Sequence, residues 1–227
     1  MKSVVNGASF LAGPLAPGEL FTIFGTGLGP SQPAGLQLTP DGKYATTSLG
    51  GTRVLFDGMA APLTYVSATQ VNAIVPFSLD GASTTKLVVE VQGVASSPTT
   101  MQIVAASPAI FPSAVLNQDN NANSATKPAS AGSVLQIFTT GFGQTSPTGV
   151  DGQICGTNPS KPAPPVTATI GGVAATVQYA GTASGLMAGV TQVNVQVPVG
   201  IKAGNSVPVV LTGAGASSPG SYMVAIH

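Results

Sequence analysis

Few residues in this chain could do chemistry. It holds one histidine, His227, one cysteine, Cys155, and seven carboxylates balanced by seven lysines and arginines. A hydrolytic serine needs an imidazole hydrogen-bonded to it, but His227 is the last residue, where a chain end is expected to fray. One His and one Cys far apart cannot furnish a zinc site within a monomer. The acidic residues Glu19, Asp41, Asp57, Asp80, Glu90, Asp119 and Asp151 fall mostly where loops and turns are expected, which predicts solvated carboxylates rather than an acid–base pair. The clusters Gly25-Thr26-Gly27-Leu28-Gly29 and Gly141-Phe142-Gly143 lack the lysine and following helix of a phosphate cradle and read as turn glycines. No catalytic residue is assigned and no cofactor is expected. A Ser or Thr hydrolase would need an unorthodox base, Lys or Asp, in a cleft between loops.

Binding chemistry has more candidates. Asn117–Ser124 gathers side-chain oxygens in one loop, with Asp119, Asn121 and Asn123 as calcium ligands of last resort; an Asx-rich turn accounts for the same residues. Gln70 with Asn72, and Gln192 with Asn194, could recognise sugar hydroxyls or satisfy polar groups of their own module. Tyr65 and Tyr179 could stack on a sugar, although a scaffold role with tethered hydroxyls fits their repetition better. Leu186 and Met187 sit in the loop 181–189 and could touch a glycan or cover a core between domains. Cys155 has no intramolecular partner, so the fold must rest on packing.

Elements that could position these residues are all strands. Hydrophobic residues make up 43% of the chain in short runs, broken by 29 Gly and 19 Pro, and no run reaches the roughly 18 apolar residues of a transmembrane helix. Charged residues are only 6% with zero net charge, which argues against nucleic acid as a partner. The pattern predicts an all-β chain. Self-similarity then divides it: residues 16–33 realign with 130–147, 54–61 with 168–175, Tyr65 with Tyr179, and 70–76 with 192–198 after an insertion within Gly181 to Val190. Val88–Val91 and Ala95–Pro98 align with 209–212 and 216–219. In Gln192-Val193-Asn194-Val195-Gln196-Val197 the valines alternate with amides, so one face is core. We expect two tandem immunoglobulin-like sandwiches, residues 1–108 and 109–227. The prolines of Ser107–Pro112 mark the boundary, and the linker is short and apolar enough to predict a packed interface wedged by Ile110 and Phe111.

The opening Val5-Asn6-Gly7-Ala8-Ser9-Phe10, Ala16-Pro17-Gly18 before Ile23-Phe24-Gly25-Thr26-Gly27-Leu28-Gly29, and Tyr65 before the repeated Gln-Val-Asn resemble the uncharacterised C-terminal domain of large exported acidobacterial proteins, the Solibacter-type family. The chain is also similar to immunoglobulin-like IPT/TIG modules. This resemblance implies a secreted or cell-surface bacterial module meeting a protein or polysaccharide: a non-enzymatic spacer, anchor or attachment unit, with polysaccharide binding as the alternative. Residues 1–7 lack the apolar core and cleavage site of a signal peptide, and the module begins almost at once, so an excised piece or a stand-alone form is expected.

Overall fold

The computed structural model describes residues 1–227. Strands in the first half are β1 (Ser3–Asn6), β2 (Leu20–Phe24), β3 (Ala34–Gly35), β4 (Thr52–Phe56), β5 (Met59–Ala60), β6 (Leu63–Val66), β7 (Gln70–Ile74), β8 (Thr84–Val91), β9 (Val94–Ala95) and β10 (Thr99–Gln102). They form two antiparallel sheets, ordered β1-β2-β7-β6-β3 and β10-β8-β4-β5, with β9 hairpinned onto β8. Alternate residues of both sheets point inward, as period-two strands must. Phe21, Ile23, Val54, Phe56, Leu63, Val71, Leu87 and Val89 meet in one core. The Phe21 and Phe56 rings pack edge to face, 5.5 Å apart, and join the two layers.

The second half repeats this arrangement with β11 (Ala109–Leu116), β12 (Val134–Thr140), β13 (Thr145–Ser146), β14 (Lys161–Pro162), β15 (Thr167–Ile170), β16 (Val173–Ala175), β17 (Val177–Thr182), β18 (Thr191–Gln196), β19 (Gly204–Gly213), β20 (Ala216–Ser217) and β21 (Met223–Ile226). Its main sheets are β11-β12-β18-β17 and β16-β15-β19-β20, with β21 also on β19, and β13 and β14 form a separate two-stranded pair. The expected alternation is present: Val193, Val195 and Val197 are buried while Gln192, Asn194 and Gln196 are half-exposed. The fold is therefore all-β and built from immunoglobulin-like sandwiches. The first core ends at Ile103 and the second begins at Ile110.

The ladders carry the duplication further than the sequence alignment did, and correct it in one place. The register slip between Leu63 and Tyr65 on β7 recurs between Val177 and Tyr179 on β18. At the N-terminal edge, Val5 pairs with Thr22 and Leu116 with Gln136, which makes the buried Asn6 and Asn117 equivalent. On β8 and β19 the sequence match is one residue out. Val54 pairs with Val89 and Ala168 with Leu211, so Leu211 is the counterpart of Val89, not of Glu90. A one-residue slip turns a strand inside out. The alignment had set the half-exposed Val88 against the fully buried Val209.

The two sandwiches are packed together, but the expected wedge is a different residue. Ile110 belongs to the second core and Phe111 is half-buried. Phe77, 3% exposed, fills the wedge position instead: a Cβ added at Gly18 or at Gly149 would run into its ring, so the ring lies between the two sandwiches. Asp151 accepts a hydrogen bond from the Phe77 N–H at 2.8 Å, and Gln144 donates to its carbonyl at 3.3 Å. Backbone pairing crosses the junction as well, from Ala45 N–H to Gly152 and from Ile154 N–H to Lys43, each at 2.8 Å.

Candidate functional site

At the amide pairs both modules use one device. Gln70 Nε2 donates to Asn72 Oδ1 at 2.8 Å, and Gln192 Nε2 to Asn194 Oδ1 at 2.9 Å. In the first module the Thr22 hydroxyl also donates to Asn72 Oδ1 at 3.1 Å. In the second the row continues across strands, Gln192 donating to Gln136 at 3.5 Å and Gln136 to Asn120 at 2.8 Å. These are uncharged, half-exposed rows of amides on the outer faces of the β2–β7 and β12–β18 pairs, with much of their hydrogen-bonding capacity spent within the row. Tyr179 is tethered, its hydroxyl donating to the Thr182 carbonyl at 3.1 Å.

The insertion is divided between two roles. Met187 is 8% exposed and packs with Ala45 and Ile74, with Leu20 and Ile154 alongside, in a small core at the junction. Leu186, next to it, is 43% exposed. The loop therefore commits Met187 to joining the modules. Thr140 closes the same region: its hydroxyl accepts the Leu20 N–H and donates to the Gly189 carbonyl, both at 2.8 Å. Its first-module counterpart, Thr26, is exposed.

In the Asn-rich loop the side chains bond one another and the neighbouring strand. Asp119 accepts from the Asn121 backbone and amide at 3.0 and 2.7 Å, and Lys127 Nζ donates to Asn121 Oδ1 at 2.6 Å. Asn123 donates to Asn117 and to the Ala225 carbonyl, and accepts the Ala225 N–H at 2.7 Å. Those two hydrogen bonds with Ala225 fasten the loop to β21.

Two expectations about titratable groups change. Glu19 is not a solvated turn residue but fully buried. Asn6 Nδ2 and the Ala16 N–H donate to its two oxygens, each at 2.8 Å, yet burial outweighs them and raises its pKa to about 8. Asp151, at the junction, is raised by partial burial. Asp41, Asp57 and Asp119 do sit in turns, held below the ordinary range by side-chain and backbone donors. His227 is not frayed: its N–H donates to the Ala129 carbonyl at 3.0 Å. Its Nε2 lies 3.4 Å from the exposed Ser130 Oγ, looser than the ~2.6–3.2 Å reach of a nucleophile and its base. Burial raises the Cys155 thiol pKa, which keeps it protonated.

Sequence reasoning missed Glu19, Phe77 and Thr140. The only signal for Glu19 was a carboxylate set where the repeat has Ser133, inside an otherwise shared turn. Both turns hold the same backbone bonds, Gly18 to Val75 and Gly132 to Val197.

Residues 4–103 match the IPT/TIG domain family. No curated protein matches the chain. An IPT/TIG domain thus spans the first sandwich.

Proposed function

We propose, from an IPT/TIG domain over residues 4–103 followed by a sandwich of the same strand order, that this chain is a non-enzymatic spacer and attachment unit of an exported bacterial protein, of the Solibacter type. The junction carries this reading. Thr140 bridges Leu20 and Gly189, Asp151 holds Phe77, and strand-like bonds join residues 43–45 to 152–154. Tandem domains with a small polar contact tumble independently; this pair is fastened by backbone bonds and an apolar plug, which supports a fixed length and direction. A spacer needs that stiffness, and an enzyme would need a cluster of perturbed acids and bases in one cleft. Here the two raised carboxylates belong to a turn and to the junction.

Small-angle scattering of the purified chain tests the stiffness. A single rigid elongated particle, unchanged between low and high salt, is expected; a profile that only an ensemble of lobe arrangements can fit would reject the spacer. Export is tested separately, by labelling intact cells of the source bacterium with an antibody to the chain.

A further inference from the structure

A groove of about 470 Å³ has Asn123 in its lining and none of the other ligand-binding candidates named from the sequence. One wall is Ala8 and Ser9 of the first module. The other is Ile110, Pro112 and Ser113 of β11 with Pro219, Ser221, Tyr222 and Met223, all of the second. A neighbouring cavity of about 250 Å³ shares Ser9 and Pro219 with it and runs on between Leu11–Pro14, Ala106–Pro108 and Ala216–Ser217. Together they make one trough across the seam between modules, where ligand sites are commonly found.

We propose that this trough binds a neutral, polyhydroxylated chain, a glycan segment of several sugar units, and so supplies the attachment half of the function above. Its lining is the argument. Ser9, Ser113 and Ser221 line it together with Tyr222 and the apolar Ile110 and Met223, and no Lys, Arg, Asp, Glu or His lines either cavity. A charged ligand would find no counter-charge, and a purely apolar one would strip water from the serines without replacing their hydrogen bonds. A sugar ring offers apolar C–H faces to an aromatic ring and hydroxyls to hydroxyls.

The trough is also preformed. Tyr222 packs against the second core, which holds its ring in the wall. β11 leaves its ladder between Ile110 and Val115 to make that wall. Phe10, just beyond Ser9, and Ser113 both hold φ of 57°, a left-handed conformation disfavoured for side-chain-bearing residues. One strained residue on each side fits a site whose shape is kept for a ligand. Asn6, which lines the second cavity, donates to the Ser107 carbonyl at 3.1 Å and so ties the two walls at its floor.

The test is calorimetric titration of the full chain with cellohexaose, laminarihexaose, xylohexaose and mannohexaose, with hexagalacturonate as the charged comparison. At least one neutral hexaose should bind saturably at micromolar to millimolar concentration, weaken at least tenfold in Ser221→Arg, and bind unchanged in Ser97→Arg, which adds the same charge on an exposed turn of the first module. Failure of all four neutral sugars, preference for the acidic one, or equal binding by Ser221→Arg would overturn the proposal. Scattering that still reports a rigid particle would leave the spacer standing in each of those cases.

Discussion

Glu19 holds its proton far above the pH at which an unfolded glutamate loses it, and this fixes a sign. With a folded pKa of about 8 and an ordinary value of 4.5, the folded chain binds the extra proton throughout that interval. Its contribution to stability is complete below pH 4.5, falls as pH rises, and is gone above pH 8. The slope is about 1.4 kcal/mol per pH unit between the two values, so urea midpoints should drop steadily from pH 5 to about pH 8 and level off above it. Glu19→Gln should flatten most of that decline, and an equally steep decline in the variant would show that other groups are responsible. Thr140 makes a second residue-scale prediction. Thr140→Val strands the partly buried Leu20 N–H and Gly189 carbonyl, at about 1 kcal/mol each, whereas Thr140→Ser should restore most of the loss in the same denaturation experiment.

At the scale of elements, the sequence was most informative where side chains obey a period. Alternating valines located β18, and paired Gly-containing turns located β2 and β12, because those patterns follow from pleat and turn geometry alone. It was least informative about roles that equivalent positions divide between them. Gly27 and Gly141 occupy the same place in the repeat with φ of 65° and 84°; a Cβ on Gly27 would meet nothing, while one on Gly141 would strike the Ser107 carbonyl of the linker. Gly27→Ala should therefore cost about 1–2 kcal/mol for its conformation alone, and Gly141→Ala clearly more, measured as the difference in unfolding free energy. The sequence could not say which glycine faces a linker, since that depends on how the modules meet. The amide pairs were legible as pairs, and their row across β12 and β18 was not, since it needs the strand register.

For the whole molecule, the repeat announced two sandwiches and the short linker announced contact, but the contact surface came from residues with no periodic signature: Phe77 in a single turn of helix, Met187 in the insertion, Asp151 in a loop. Met187→Asp should loosen that surface while sparing both cores, splitting one calorimetric transition into two. In each module one short parallel contact joins the segment ahead of its second strand to the end of its last: Leu15 with Ile103, and Ala129 with Ile226. Each has two backbone bonds, Leu15 to Gln102 and Val104 to Leu15, then Ala129 to Ala225 and His227 to Ala129. A pull on the two ends of the chain drags the members of a parallel pair in opposite directions along their length, so both bonds resist together. An antiparallel pair pulled this way opens one bond at a time, like a zip. In an atomic force microscope, traction along the chain should therefore strip the short β1 early and meet its two main rupture peaks at these contacts, one for each module.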